Sequence, residues 1–283
     1  MAIDEAIYGP DNVAIAVALT NLGEARGLQD RAQDAVTLNR RALALREAAL
    51  GPEHADVAIN LTNLGAALHQ VGADAEAGPL LRRAAEIRER RLGADHPQLA
   101  LTLLHLGEVA QATGDGAGSV AAYTSALSIW RGRLGERHPN VGVVLVNLGE
   151  VRMGQGAVDD GLAEMRLGIE IVTEALGAEH RDVGTSQAQL GEALLAAGRL
   201  AGAREALERA LVIQRSTEVE PATIGRVELS LAMTLWALGE AKQALAAGHQ
   251  AQEHFVAAGP ARADELERAR TWLRTAQGAM GKR

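Results

Sequence analysis

Four histidines recur at a single step along this chain. His54, His96, His138 and His180 each stand forty-two residues from the last. Imidazoles in series raise the possibility of metal chemistry, but zinc needs its ligands to converge at about 2.0–2.3 Å from one point. Equivalent residues of stacked units are held apart by a whole structural unit, so the series reads as loop-ordering or helix-capping and no metal site is expected. A second series is Asn21, Asn63, His105, Asn147 and Gln189, at the same step. A primary amide is both donor and acceptor, so a row of them pairs with the C=O and N–H groups of an extended peptide without reading its side chains. The alternative is that these amides cap or bridge neighbouring helices. Three residues further on stand Glu24, Glu108, Glu150 and Glu192, with Ala66 in the second place. A row of carboxylates favours Arg- or Lys-bearing ligands and on-rates that fall with salt; its alternative is a solvated helix face.

Glycines show what must position these rows. Gly23, Gly65, Gly107, Gly149 and Gly191 keep the forty-two-residue step, as do Gly9, Gly51, Gly93, Gly135 and Gly177. A fixed period in this range marks a solenoid, in which one unit cannot bury its own apolar face and neighbours stack to make a core. In the second unit, Gly51-Pro52-Glu53-His54 is a loop. A helical pattern runs from about Ala55 to Val71, with Val57, Ala58, Leu61, Leu64 and Leu68 on one stripe. Gly72 stops it, and a second helix runs from about Ala75 to Arg91. The same stop recurs at Gly114, Gly156 and Gly198, and Pro97 and Pro139 suit a first helical turn. Gly in mid-helix costs about 0.5–1 kcal/mol relative to Ala. Its recurrence at Gly23, Gly65, Gly107, Gly149 and Gly191 therefore calls for close helix approach. Ala35, Ala77, Ser119, Gly161 and Ala203 fill the matching place on the second helices, and Ala42, Ala84, Ala126, Gly168 and Ala210 lie one layer on.

The pattern of Leu64-Gly65, Ala77 and Ala84 resembles the tetratricopeptide repeat family. The forty-two-residue period with its Leu-Gly-x-x-His-Pro loop is similar to the longer variant of kinesin light chains and many bacterial proteins. The resemblance implies an all-α fold, a right-handed α-solenoid of stacked antiparallel helix hairpins with a C-terminal capping helix. It implies that the first helices line a concave groove, with Asn21, Asn63, His105, Asn147, Gln189, Glu24, Glu108, Glu150, Glu192, Leu104 and Val146 facing a peptide. These residues are expected to lie outside the core. Chaperone-binding members clamp a terminal carboxylate with basic residues, but the matching positions here carry Val17, Ile59, Leu101 and Val143, so that clamp is not expected.

The expected organisation is one array. Residues 1–9 read as the remnant of a preceding helix and loop. Six hairpins follow at 10–50, 51–92, 93–134, 135–176, 177–217 and 218–259, then a capping helix and tail at 260–283. The register slips to forty-one at the sixth hairpin, where Leu231-Ala232 answers Leu190-Gly191. The remnant raises a reading in which the chain is the C-terminal regulatory or sensor part of a larger bacterial kinase or NTPase acting in cis. Self-association through an open N-terminal edge is the third.

Composition bounds the rest. The net charge is −8 with 28 basic and 36 acidic residues, which disfavours a phosphate backbone as partner. There is no Cys, and aromatics make up 2%; thiolate chemistry is excluded. No apolar run reaches the length of a membrane span and no signal peptide opens the chain, so a cytoplasmic location and no membrane partner are expected. No phosphate loop, His-Glu-x-x-His or Gly-x-Ser-x-Gly motif is present. The reading is a non-enzymatic protein–protein interaction scaffold without cofactor, binding an extended peptide, with basic residues favoured by the carboxylate row.

Overall fold

The computed structural model describes residues 9, 12–29, 31–217 and 219–280, and of Ala261 only the backbone. The helix remnant read at 1–9 lies, apart from Gly9, outside them. The described residues hold thirteen α-helices and no strand. The chain divides into two compact units, Met1–Glu136 and Arg137–Arg283.

The first unit contains α1 (Ala14–Leu28), α2 (Ala32–Leu50), α3 (Ala55–Gln70), α4 (Asp74–Leu92), α5 (Pro97–Ala112) and α6 (Gly116–Leu134). Consecutive helices pair into three hairpins. Within the unit α2 also packs on α3 and α4 on α5, and α1, α3 and α5 touch in succession. The second unit contains α7 (Pro139–Gly154), α8 (Val158–Leu176), α9 (Arg181–Ala196), α10 (Leu200–Ser216), α11 (Pro221–Ala237) and α12 (Ala241–Ala257). A short 3-10 turn at Pro260–Arg262 leads into α13 (Ala263–Met280), which packs on α12. Within this unit α7, α9 and α11 again touch in succession.

Local chemistry explains where each helix starts and stops. The Nδ1 atoms of His54, His96, His138 and His180 accept from the backbone N–H two residues on, each at 3.2 Å. They are the N-caps of α3, α5, α7 and α9, and they satisfy a donor that a helix start leaves free. Pro97 and Pro139 occupy the first turns of α5 and α7. At the other end of α3, the Ala73 N–H reaches Leu68 O (2.8 Å) and the Gly72 N–H reaches His69 O (2.9 Å). This is the Schellman closure, and it requires a left-handed residue at Gly72, whose φ is 77°. Gly93 closes α4 at φ 94° and ψ 159°, a region open to Gly alone.

The mid-helix glycines sit where the helices are closest. A Cβ on Gly65 would stand 2.6 Å from Leu81 Cγ, and one on Gly191 would strike Leu207. The obstructing residue is thus sixteen positions on, one turn beyond the small residue expected to face the glycine. The small residue still has a role: Ser119 Oγ donates to Gly107 O at 3.0 Å. Hairpin α7–α8 is different. There Gly149 faces the backbone carbonyl of Gly161, and Gly142 faces that of Gly168. Backbone lies on backbone, with no side chain between. The core elsewhere is mostly Ala and Leu, with Tyr123, Trp130 and Phe255 the largest side chains fully enclosed.

Candidate functional site

In the first unit the row read from the sequence lies along α1, α3 and α5. Asn21 is exposed and Asn63 half-buried, and neither side chain has a hydrogen-bond partner among the described residues. His105 pairs through Nδ1 with Glu108 at 2.9 Å. Glu24 is exposed and without an ion-pair partner among the described residues. One turn before the amides stand Val17, 54% exposed, half-buried Ile59 and Leu101, 38% exposed. This face therefore carries apolar side chains in water beside uncommitted amides. Leu104 does not belong to it. It is only 8% exposed, because the residue three before the helix-packing Gly107 turns inward.

The second unit uses the same register differently. Asn147 is 8% exposed, and its Oδ1 accepts from Gln189 Nε2 at 3.2 Å. Gln189 Nε2 also donates to Glu150 Oε2 at 3.4 Å, and Glu192 accepts from Ser230 Oγ at 3.1 Å. Here amide and carboxylate rows bridge adjacent hairpins, which for the amides is the alternative named above. Asn147 is corrected from an open position to a covered one. Val146 is corrected likewise: it is 1% exposed and packs against Leu162, Met165, Leu190 and Leu194.

The sequence reading stopped the rows at Gln189 and Glu192. Carried one step of forty-one further, they reach Ser230 and Met233, and the apolar row of Val17, Ile59, Leu101 and Val143 continues through Thr185 to Arg226. The register slip already seen at Leu231-Ala232 was the signal that could have found them.

Two buried guanidiniums in the first unit have structural roles. Arg46 donates to Asp56 O (3.0 Å) and Asn60 Oδ1 (2.6 Å), and Asn60 passes the network to Thr20 Oγ1 at 2.9 Å. Arg88 donates to Gln98 O and to Thr102 Oγ1, with no partner at Nε. Burial lowers the pKa of both guanidiniums, that of Arg88 to about 10, and at Arg46 the Asp56 charge works against the desolvation. Among the described residues no group of His, Asp and Glu gathers as metal ligands would. No helix among them is long and apolar enough to cross a membrane.

Comparison with protein-family models matches a tetratricopeptide repeat model four times, over residues 15–90, 56–115, 98–157 and 141–216. The chain belongs to the tetratricopeptide repeat family. Members of this family are in general non-enzymatic scaffolds that bind protein or peptide partners. No curated protein matches the sequence. Solved structures of the same fold include a putative kinesin light chain of nearly identical TPR-like repeats from Podosopora anserina. It is 24% identical with a TM-score of 0.55, over 72% of this chain and 97% of that one. BtubC (BKLC) from P. vanneervenii is 20% identical, with a TM-score of 0.61 over 82% of this chain and 92% of that one. A Rap protein complexed with competence and sporulation factor is 12% identical. Its TM-score is 0.66 over 93% of this tetratricopeptide chain and 75% of its own.

Proposed function

We propose that this chain is a scaffold that binds an extended peptide segment of a protein partner on the α1, α3 and α5 face of its first unit. One observation carries the reading. Asn21 and Asn63 hold unspent donors and acceptors beside the exposed side chains of Val17, Ile59 and Leu101. Amides free of internal partners pair with a peptide backbone, and exposed apolar side chains lower their free energy when a ligand covers them. A preference for a basic ligand residue rests on Glu24 alone in this unit, since Glu108 is already held by His105.

The test is panning of random displayed dodecapeptides against the protein and its Asn21→Ala, Asn63→Ala double variant. Two lost hydrogen bonds weaken retained peptides by about 1–3 kcal/mol, or about 5- to 150-fold. Equal retention by both proteins, at equal melting temperature, removes Asn21 and Asn63 from the binding face.

A further inference from the structure

A carboxylate is buried in the seam where the last hairpin meets the one before it. Glu228 on α11 is 1% exposed, the only buried Asp or Glu among the described residues. Its Oε1 accepts from Arg215 Nη2, at the end of α10, at 2.8 Å. Its Oε2 lies 2.7 Å from His254 Nδ1 on α12. Both partners reach it from the surface: the Arg215 side chain is half exposed and that of His254 a third. The seam repeats a pattern of the first unit. Arg46 and Arg88 each donate from a second helix to a residue fourteen positions on, Asn60 and Thr102 in the next first helix. Three steps of forty-two beyond Arg88 stands Gln214, fourteen before Glu228. The repeat is one residue shorter here, and the guanidinium comes from Arg215, thirteen positions before Glu228. Gln214 is left buried with no partner at Oε1 among the described residues.

The far side of this seam is tied together internally. α11, α12 and α13 share a core of Leu229, Phe255 and Ala269, against which Leu266 and Trp272 pack. A Cβ on Gly248 of α12 would stand 2.5 Å from the Trp272 ring, so the capping helix is seated in a notch. Arg262, in the turn before α13, reaches back at 3.2 Å to Glu220 just ahead of α11. Across the seam one apolar cluster joins Leu207 and Leu211 to Ile224, Val227 and Leu231. Beside it run two outer ties, Arg204 to Glu240 at 2.9 Å and Ser230 to Glu192 at 3.1 Å, of a kind that contributes little.

A buried carboxylate is a conditional contact. Paired on both oxygens, it roughly balances its own desolvation. With a partner withdrawn it strands a charge, whereas an apolar residue in its place is neutral or better. We propose that Glu228 is the latch of a movable end: α11, α12 and α13 open from α10 as one body, and stay closed while Arg215 and His254 hold the carboxylate. Packed structures open in such cooperative pieces, and the end of a stacked array has a neighbour on one side only. Both partners are reachable from solvent, so the latch answers to solutes that compete for them, which an apolar seam would not.

The experiment is hydrogen exchange read by mass spectrometry on four proteins: the unaltered chain, Arg215→Ala with His254→Ala, Glu228→Met, and the triple variant. In the double variant, exchange in α11, α12 and α13 should quicken about tenfold or more, while α7, α8 and α9 keep their rates. Glu228→Met should exchange no faster than the unaltered chain. The triple variant should return to near the unaltered rates, since no charge is left to strand. If the double variant does not fold, Arg215→Ala alone is compared with Arg215→Ala, Glu228→Met. Three results overturn the latch. Equal quickening from α7 to α13 makes Glu228 a support of the whole unit. Unchanged exchange in the double variant shows that the carboxylate needs neither partner. A triple variant that stays fast traces the loss to the missing Arg and His packing.

Discussion

Gln189 donates its side-chain amide to the Oδ1 of Asn147, one repeat earlier, at 3.2 Å. Two residues at the same register position in neighbouring hairpins of one unit thus spend their polar groups on each other. The bond ties α7 to α9 and covers Asn147.

Asn147→Ala is therefore a stability variant. It leaves the Gln189 amide facing a partly enclosed site with one partner fewer, at a cost of about 1–3 kcal/mol. In a cycle with Gln189→Ala the two changes should couple by about 0.5 kcal/mol or more. Asn63→Ala, whose amide has no partner among the described residues, should stay within about 0.5 kcal/mol of the unaltered protein. Urea unfolding of the unaltered protein, the three variants of the cycle and Asn63→Ala gives all these values, and additive losses at 147 and 189 would deny the bond an energetic role.

The contrast between Asn63 and Asn147 marks where reading the sequence reaches its end. Period and chemistry made the helices legible: histidine caps, Gly72 with its closing turn, and the mid-helix glycines all declare themselves by residue type. Position in the repeat is a matter of register, and register repeats. Depth does not, because it depends on what the neighbour does. His105 turns to Glu108 and leaves Asn63 open, whereas Gln189 lies over Asn147. Val146 and Leu104 are buried for a different reason, since each stands three residues before a helix-packing glycine, a place that Thr20, Thr62 and Ala188 also fill as buried residues; Arg226 was missed because its row slips by one residue in the last hairpin.

The histidine caps carry a share of the stability that substitution can read. Nδ1 accepts a backbone N–H in each. His96→Asn and His138→Asn keep an acceptor at the cap, whereas alanine at either place costs about 0.5–2 kcal/mol. Melting temperatures should fall in the alanine variants and stay near the unaltered chain in the asparagine variants; equal melting of all of them would show that these caps contribute nothing.

Arg46 and Arg88 look alike by sequence and should respond in opposite ways. Arg88 carries its charge into the interior without a carboxylate, and its main acceptor, Gln98 O, keeps Thr102 Oγ1 as a donor at 3.2 Å. Arg88→Met removes a desolvated charge and strands little, so stability should be unchanged or raised by about 1 kcal/mol or more. Arg46→Met strands the Oδ1 of fully buried Asn60 and should cost about 1–3 kcal/mol. Denaturant titration of the two variants checks the order, and a large loss for Arg88→Met would contradict it.

The glycines give the sharpest comparison. In an open helix Gly→Ala gains about 0.5–1 kcal/mol from backbone entropy and propensity. Gly132 in α6 tests that baseline, since a Cβ there meets nothing within 4 Å. At Gly65 the same methyl meets the side chain of Leu81, which is itself enclosed, so overpacking of about 1–3 kcal/mol outweighs the gain. At Gly149 the obstacle is the carbonyl oxygen of Gly161, with Met165 Cγ 2.8 Å away. A side chain relaxes by changing rotamer; a carbonyl held in a helical hydrogen bond does not, so helices α7 and α8 must move apart along their length. Gly149→Ala should therefore be the most destabilising of the three, beyond the range expected at Gly65. The order Gly132→Ala above the unaltered protein, then Gly65→Ala, then Gly149→Ala is read directly from unfolding midpoints. A Gly149→Ala protein as stable as Gly65→Ala would show that the α7–α8 seam yields as easily as a leucine side chain, and that backbone contact is not what holds these two glycines in place.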